Sequence, residues 1–208
     1  MTVAGIDVAW PQGDYDWSQH AGLAFGMCKA TEGLTLADPA FEHNWDAMWD
    51  LQPDHRVPRF GYHFFHAADD PDGQAEHLVT TVKAHGLLAG DNLAADFEAT
   101  DPRSGLNDDV APDVCAARAR TFLQTVNRLA PGHRILAYTN PAFARTGACA
   151  GLGDWYLWLA DYGVTSPVVP EPWDRWTFWQ YASSPVDQDV YNGTAEQLLA
   201  FTRMPDKR

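Results

Sequence analysis

Residues 93–139 read LAADFEATDPRSGLNDDVAPDVCAARARTFLQTVNRLAPGHRILAYT, the pattern of one strand–helix–strand unit. Two apolar segments, Leu93–Phe97 and Ile135–Thr139, have the composition of buried strands. Between them, Pro112–Leu129 has proline in its first turn and apolar residues at helical spacing. Parallel strands need a long crossover connection, and this helix supplies one. The unit therefore predicts a parallel sheet covered by helices.

The same alternation extends along the chain in both directions. The predicted strands are Val3–Val8, Leu23–Lys29, Arg59–Phe65, Leu93–Phe97, Ile135–Thr139, Tyr156–Ala160, Trp176–Tyr181 and Gln188–Tyr191. The predicted helices are Trp17–Ala21, Pro39–Leu51, Gly73–His85, Pro112–Leu129, Ala142–Thr146 and Ala195–Thr202. The order is strand–helix repeated five times, followed by three strands with little helix between them.

Eight strands favour a closed barrel over a doubly wound open sheet. An open nucleotide-binding sheet would show a glycine-rich turn after its first strand, and here that place reads AWPQG (9–13). We therefore predict an α/β fold, a single TIM-like barrel that occupies residues 1–208.

The acidic composition excludes several classes of protein. The 208 residues include 14 Lys and Arg against 28 Asp and Glu, a net charge of −14, so no nucleic-acid partner is expected. No apolar run approaches the roughly 20 residues of a membrane span. Nine tryptophans and 12% aromatic residues are incompatible with intrinsic disorder. The N-terminus lacks the basic and apolar segments of a signal peptide, so none is expected.

Three cysteines are too few for a disulfide scaffold, and an odd number leaves at least one thiol free. Cys28 lies in an apolar segment and is expected in the core. Pairing between Cys115 and Cys149 stays open at this stage.

Acidic and aromatic residues recur where the predicted strands end. In a parallel barrel these ends form one rim, which carries the functional residues. Carboxylates for chemistry and aromatic faces for stacking on sugars are typical of a carbohydrate cleft. The candidates along the rim are Asp7, Lys29, Glu32, Tyr62, Asp96, Glu98, Tyr138, Trp158, Gln180 and Asp187.

Asp96 and Glu98 are the sharpest local signal. Side chains two residues apart on a strand point to the same face, so both carboxyl groups face one site and Phe97 faces away. Two neighbouring acids cannot both ionise cheaply, so one of them can serve as a general acid. Glu98 is nearer the rim and longer, and we predict that it donates the proton. The alternative is a solvated pair of loop acids without a catalytic role.

A metal site is weighed against this glycosidase interpretation. His63 and His66 are three residues apart on a strand and would point to opposite faces, so no metal or other cofactor is expected. Two alternatives stay open: a metal-dependent glycan deacetylase that uses His63 with Asp7 and Asp96, and a non-catalytic glycan-binding barrel.

Several short motifs, in order, resemble the lysozymes of glycoside hydrolase family 25. They span about residues 4–193, nearly the whole chain. The motifs are GIDV (5–8), QG (12–13), KATEG (29–33), DPAF (38–41), GYHF (61–64), QA (74–75), DFE (96–98), YT (138–139), WLA (158–160) with Tyr162, WQY (179–181) and VD (186–187).

The resemblance implies a β-1,4-N-acetylmuramidase on a modified (β/α)5β3 barrel. It implies catalytic roles for four acids, with Glu98 as the general acid, Asp96 as the second carboxylate, and Asp7 and Asp187 shaping the electrostatics. Tyr62, Tyr138 and Lys29 fall on cleft positions, and the rim pattern adds Glu32, Trp158 and Gln180 as substrate-binding candidates.

The chain departs from the family pattern at two places. Ala9 stands where the family usually has Ser, and Asp189 stands where an Asn is common, which leaves open whether Asp187 or Asp189 is the fourth acid of the site.

We expect bacterial peptidoglycan as the partner, action on the cell wall outside the cell, a monomer, and no separate wall-binding module. Both a retaining and an inverting mechanism stay open; the 2-acetamido group of the sugar favours participation by that group.

Overall fold

A closed barrel of eight strands forms the centre of the molecule. The structure is a computed structural model that describes residues 2–20, 22–51 and 56–203. Its strands are β1 (Val3–Val8), β2 (Phe25–Glu32), β3 (Leu36–Ala37), β4 (Arg59–Phe64), β5 (Asn92–Asp96), β6 (Ile135–Thr139), β7 (Tyr156–Ala160), β8 (Phe178–Ala182) and β9 (Asp187–Tyr191). Around the barrel they follow the order β1-β2-β4-β5-β6-β7-β8-β9, and β9 closes on β1. The short β3, absent from the sequence prediction, pairs with β2 outside this ring.

Helices cover the outer face of the barrel. They are α1 (Phe41–Ala47), α2 (Pro71–Ala84), α3 (Pro112–Leu129), α4 (Pro141–Phe143) and α5 (Ala195–Thr202). A π-helical turn over Ala144–Ala148 follows α4, and short 3-10 helices cover Trp10–Gln12, Trp17–His20 and Met48–Asp50. Ala21, the last residue of the predicted helix Trp17–Ala21, lies outside the described residues. Among the described residues no helix is long and apolar enough to cross a membrane.

The barrel prediction is confirmed, and β9 is the strand that departs from the parallel arrangement that strand–helix alternation predicts. This strand runs antiparallel to both of its neighbours, β8 and β1. The physical reason is the connection between β8 and β9, residues 183–186, which is far too short for a parallel crossover and forms a hairpin instead. As a result, the first residue of β9, Asp187, lies at the same rim as the last residues of the parallel strands.

Strand alternation produces two apolar cores. One lies between the barrel wall and the helices, and it holds Phe65, Phe97 and Phe122. The other fills the lower half of the barrel, where the ring of Phe25 lies 5.0 Å from that of Phe178. Gly5 leaves room for this interior packing, because a Cβ there would lie 2.3 Å from the Phe25 ring. Because apolar side chains fill the lower half, the acidic residues of the interior lie toward the upper rim.

The cysteines do not form a disulfide. Cys28, Cys115 and Cys149 are all buried and free, so the open question about Cys115 and Cys149 is answered in favour of two thiols. Burial raises the pKa of each of the three, which keeps them protonated.

Candidate active site

A polar cavity of about 260 Å³ opens at the rim of the barrel. Residues from seven of the eight barrel strands, and from the segments that follow two of them, line it, so a single chain supplies the whole wall. The lining residues are Asp7, Tyr62, Asp96, Glu98, Tyr138, Trp158, Tyr162, Gln180 and Asp187. All four predicted catalytic acids are therefore brought to one cavity, together with four of the six predicted substrate-binding residues.

Asp96 and Glu98 stand side by side because of strand alternation. Asp96 ends β5 and Glu98 follows two residues later, while Phe97 packs outside the barrel 5.2 Å from the ring of Phe65. The Asp96 side chain is buried, and its Oδ1 has no hydrogen-bond partner among the described residues. A buried carboxylate oxygen without a partner can accept a hydrogen bond from a bound molecule.

Burial raises the pKa of both acids of this pair. The pKa of Asp96 is well above its usual range, because burial and then the Glu98 charge disfavour its ionised form. Burial also raises the pKa of Glu98, and the charge of Asp187 acts in the same direction. The positive charge of Lys29 acts in the opposite direction and lowers the pKa of both acids. The pair therefore holds a proton to higher pH than two ordinary carboxyl groups would, which is the direction that a general acid requires.

A hydrogen-bonded chain fixes the acid on the opposite wall, Asp7. The side-chain amide of Gln180 donates to Asp7 Oδ2 over 2.6 Å, and its Oε1 accepts from the hydroxyls of Tyr138 (3.0 Å) and Tyr162. Burial and the charge of Asp187 raise the pKa of Asp7 to about 7. The network places Asp7 rigidly at the bottom of the cavity.

Asp187 and Asp189, which the sequence could not separate, have different positions. Asp187 pairs with Asp7 at the rim and is partly exposed in the cavity. Asp189 lies one layer deeper, opposite Gly5, is fully buried, and accepts a hydrogen bond of 2.8 Å from Trp158 Nε1. Asp187 is therefore the acid that a substrate can reach.

The chain matches known proteins over most of its length. The model of the family "Glycosyl hydrolases family 25" matches residues 6–190. This chain belongs to glycosyl hydrolase family 25.

Individual relatives extend the comparison. Lysozyme M1 of Streptomyces globisporus is 27% identical over 96% of this chain and 71% of its own length. An N,O-diacetylmuramidase of Arthroderma benhamiae is 25% identical over 97% of this chain and 87% of its own. The crystal structure of the bacterial lysozyme from Streptomyces coelicolor superimposes with a TM-score of 0.76, at 26% identity and 96% coverage of both chains. The family assignment agrees with the resemblance seen in the sequence.

Two predicted substrate-binding residues of this family 25 chain do not line the cavity but lie beside it. Lys29, on β2, forms an ion pair with Glu32, and Glu32 also contacts His66 at 3.1 Å. His66 in turn contacts Asp108 at 3.0 Å. The charge of Lys29 still acts on the catalytic pair, so its position bears on the electrostatics of the site.

The deacetylase alternative, with His63 beside Asp7 and Asp96, does not fit the barrel. His63 points out of the barrel wall, stacks on Phe122 of α3 at 5.0 Å, and contacts Thr31 and Gln74 through its two ring nitrogens. Burial lowers its pKa to about 3. The wall separates His63 from the acids. Across the described part of the chain, His, Cys, Asp and Glu side chains nowhere come together in a group of three that could hold a metal ion.

Sequence reasoning missed three residues at this site. Tyr162 was noticed only as part of a motif. Asn107 binds the backbone at the ends of two strands, through Phe65 O and Glu98 O, both at 2.8 Å, and so fixes the segment that carries Glu98. Arg145 lines a groove of about 530 Å³ that also touches Glu98. No local pattern distinguished Asn107 or Arg145, because each contributes through contacts between distant segments.

Proposed function

We propose that this family 25 protein is a lysozyme, an N-acetylmuramidase that hydrolyses the β-1,4 bond between N-acetylmuramic acid and N-acetylglucosamine in peptidoglycan. The observation that carries the proposal is the juxtaposition of Asp96 and Glu98 in a polar cavity, with a buried Asp96 oxygen that has no partner in the part of the chain that the structure describes. The relatives named as a lysozyme and as an N,O-diacetylmuramidase support the choice of substrate.

Glu98 is the general acid in this mechanism. It is more accessible than Asp96 and lines both the cavity and the adjoining groove, so it can reach an oxygen between two bound sugars. Glu98 donates its proton to that oxygen as the bond between the oxygen and C1 breaks. Its raised pKa keeps the proton in place until the substrate binds.

Asp96 is the second carboxylate and acts on the 2-acetamido group of the substrate. In the ionised form its free oxygen accepts the N–H of that group, and the amide oxygen then forms a bond to C1 as the leaving group departs. Water next attacks C1, the bond to the amide oxygen breaks, and Glu98 takes a proton from the water. The two displacements at C1 give net retention. An inverted first product would contradict this part of the mechanism.

The other lining residues bind and orient the sugar. Asp7 and Asp187 place negative charge near the positive charge that develops at C1. Tyr62, Tyr138 and Trp158 supply aromatic surface, and Gln180 holds Asp7. The ion pair of Lys29 and Glu32 determines the charge beside Asp96 and Glu98. We further propose that the protein acts as a monomer on the cell wall, since one chain supplies the complete cavity.

Glu98→Gln tests the proposal on purified peptidoglycan. Products are reduced with borohydride and identified by mass spectrometry, and wild type is expected to leave ends of reduced N-acetylmuramic acid. The variant is expected to lose roughly 10²- to 10⁴-fold in rate, the usual contribution of a general acid. Glu196→Gln, an exposed change on α5, is the matched control and should retain the wild-type rate.

Other outcomes would change the assignment. Ends of reduced N-acetylglucosamine would make the protein a glucosaminidase. Absence of cleavage by folded wild type would favour the remaining alternative, a glycan-binding barrel without catalytic function.

A further inference from the structure

Asp189 is a buried acid that the mechanism above does not use. It lies on β9 inside the barrel, has no exposed surface, and is absent from the lining of the cavity. Its Oδ1 accepts the hydrogen bond from Trp158 Nε1, while its Oδ2 finds no donor among the described residues. Leaving a carboxylate oxygen buried without a donor is costly, so this arrangement needs an explanation.

The neighbour of Asp189 is another carboxyl group, that of Asp7. Asp189 pairs with Gly5 and Asp187 with Asp7, so Asp7 and Asp189 are diagonal neighbours on the inner face of adjacent strands, where a hydrogen bond can join their carboxyl groups. Ionised carboxylates have acceptors only, so two of them cannot form such a bond. A hydrogen bond here therefore requires that one of the two acids keeps its proton.

The surrounding hydrogen bonds indicate which acid carries that proton. Gln180 Oε1 is occupied by the hydroxyls of Tyr138 and Tyr162, so its amide N–H is directed at Asp7. Asp7 thus already accepts one hydrogen bond, from the Gln180 amide, and this bond favours the ionised form of Asp7. Asp189 also has one donor, Trp158 Nε1, but it is fully buried and does not line the cavity as Asp7 does, so a charge on Asp189 is the more costly of the two.

Other groups around the pair also disfavour a second negative charge. Asp7 acts electrostatically on a set of acids, phenols and a thiol from several elements: Asp187, Asp96, Tyr62, Tyr138, Tyr162 and Cys28. Each of these groups is neutral when protonated and negative when ionised, so none of them supplies a positive charge that would stabilise a second anion. Lys29 acts on Asp96 and Glu98 on the far side of the cavity.

We propose that Asp189 is a positioning residue that stays protonated at neutral pH and donates its carboxyl hydrogen to Asp7, so that the two acids together carry one negative charge. Asp189 thereby acts as a neutral hydrogen-bond donor under the floor of the cavity. The pKa of Asp189 agrees in direction, since burial and then the charge of Asp7 raise it well above its usual range.

Carbon-13 NMR of the aspartate side-chain carboxyl groups tests the location of the proton without using activity. The resonance that is lost in Asp189→Asn belongs to Asp189. In wild type at neutral pH it is expected at the position of a protonated carboxyl group. Asp113→Asn, an exposed change at the start of α3, controls for general effects of a substitution. A resonance already ionised at neutral pH would overturn the proposal.

Asp7→Asn supplies a second spectroscopic test, which also serves if Asp189→Asn does not fold. An asparagine at position 7 can donate its N–H to Asp189, and this stabilises the ionised form of Asp189. The Asp189 resonance should then ionise at lower pH than in wild type. An unchanged or higher pH of ionisation would contradict proton donation from Asp189 to Asp7.

Kinetics test the positioning role, and this part rests on the proposed muramidase activity. Asp189→Asn keeps an oxygen for Trp158 and an N–H for Asp7, and its rate at mildly acidic pH should stay within about threefold of wild type. Asp189→Leu has a similar size but no donor, and should lose roughly 10- to 100-fold, the equivalent of one hydrogen bond to a charged group. Equal losses in the two variants would overturn the positioning role.

The pH profile separates this role from simple packing. When alkaline pH removes the Asp189 proton, Asp7 loses its donor in wild type but keeps it in Asp189→Asn. The variant should therefore retain a larger fraction of its kcat/KM on the alkaline side. An identical alkaline limb in both proteins would contradict the proposal. If wild type has no muramidase activity, the NMR tests still decide where the proton lies.

Discussion

At the scale of the residue, Lys29 sets the charge balance of the catalytic pair. Its side chain is only 12% exposed, and its ammonium group favours the ionised forms of both Asp96 and Glu98. Glu32 holds Lys29 in place through their ion pair. Burial raises the pKa of both acids, the Glu98 charge adds to the rise for Asp96 and the Asp187 charge to that for Glu98, and Lys29 limits both rises.

Lys29→Met should move the pH profile of activity to higher pH. Removal of the cation raises the pKa of Glu98, so the general acid keeps its proton to higher pH and the alkaline limb shifts upward. The pKa of Asp96 also rises, so the acid limb shifts in the same direction. The measurement is kcat/KM on soluble peptidoglycan fragments as a function of pH. Lys83→Met on α2, where the Lys83 ammonium group donates to the carbonyl oxygen of Leu129, should leave both limbs in place. If the acid and alkaline limbs of the Lys29→Met pH profile stay in place or move to lower pH, this account is contradicted.

At the scale of the element, a buried ion pair joins the lower ends of the strands to helix α1. Arg59, the first residue of β4, lies 2.6 Å from Asp91, which immediately precedes β5. The guanidinium of Arg59 also donates to the carbonyl of Trp45 in α1 and lies 4.0 Å from its ring. Both side chains have almost no exposed surface, so Arg59 depends on Asp91 for its counter-charge, while Asp91 is also paired with the partly exposed Arg56 at 2.8 Å.

Asp91→Asn should destabilise the protein by about 3–5 kcal/mol, because it leaves the buried Arg59 charge without its anion. The measurement is the free energy of unfolding from urea titration. Asp101→Asn is the matched control, since Asp101 pairs with Arg103 on the surface, where the two side chains are 47% and 93% exposed. The Asp101→Asn control should lose less than about 1 kcal/mol of unfolding free energy. Similar losses of unfolding free energy in the two variants would show that burial does not strengthen the contribution of the Arg59–Asp91 pair.

At the scale of the whole molecule, the net charge of −14 opposes approach to an anionic cell wall. Salt screens this repulsion over a Debye length of about 8–10 Å. Activity on whole Gram-positive cells should therefore rise as salt increases from low to moderate concentration. The measurement is the rate of loss of turbidity. Walls stripped of their anionic polymers are the control and should show little rise. A steady decrease from low to physiological salt would contradict the prediction.

Most of the strand and helix pattern follows from the sequence alone. Strands such as Ile135–Thr139 and the helix Pro112–Leu129 have the observed bounds, because burial of one face imposes a period that is visible locally. Alternation likewise predicts that Asp96 and Glu98 share a face, since neighbouring side chains on a strand point to opposite sides. The family resemblance depends on the order of these local motifs.

The tertiary structure decided the features that depend on pairing between distant segments. The direction of β9, and with it the exposure of Asp187 rather than Asp189, follows from a short hairpin and from closure of the barrel on β1. The contacts of Asn107 and the proton between Asp7 and Asp189 also depend on residues far apart in the sequence. The sequence by itself determined which residues face the interior, because that is a local periodicity. Only the closed barrel decided which of them share a layer, because its register, strand direction and desolvation are properties of the assembled sheet.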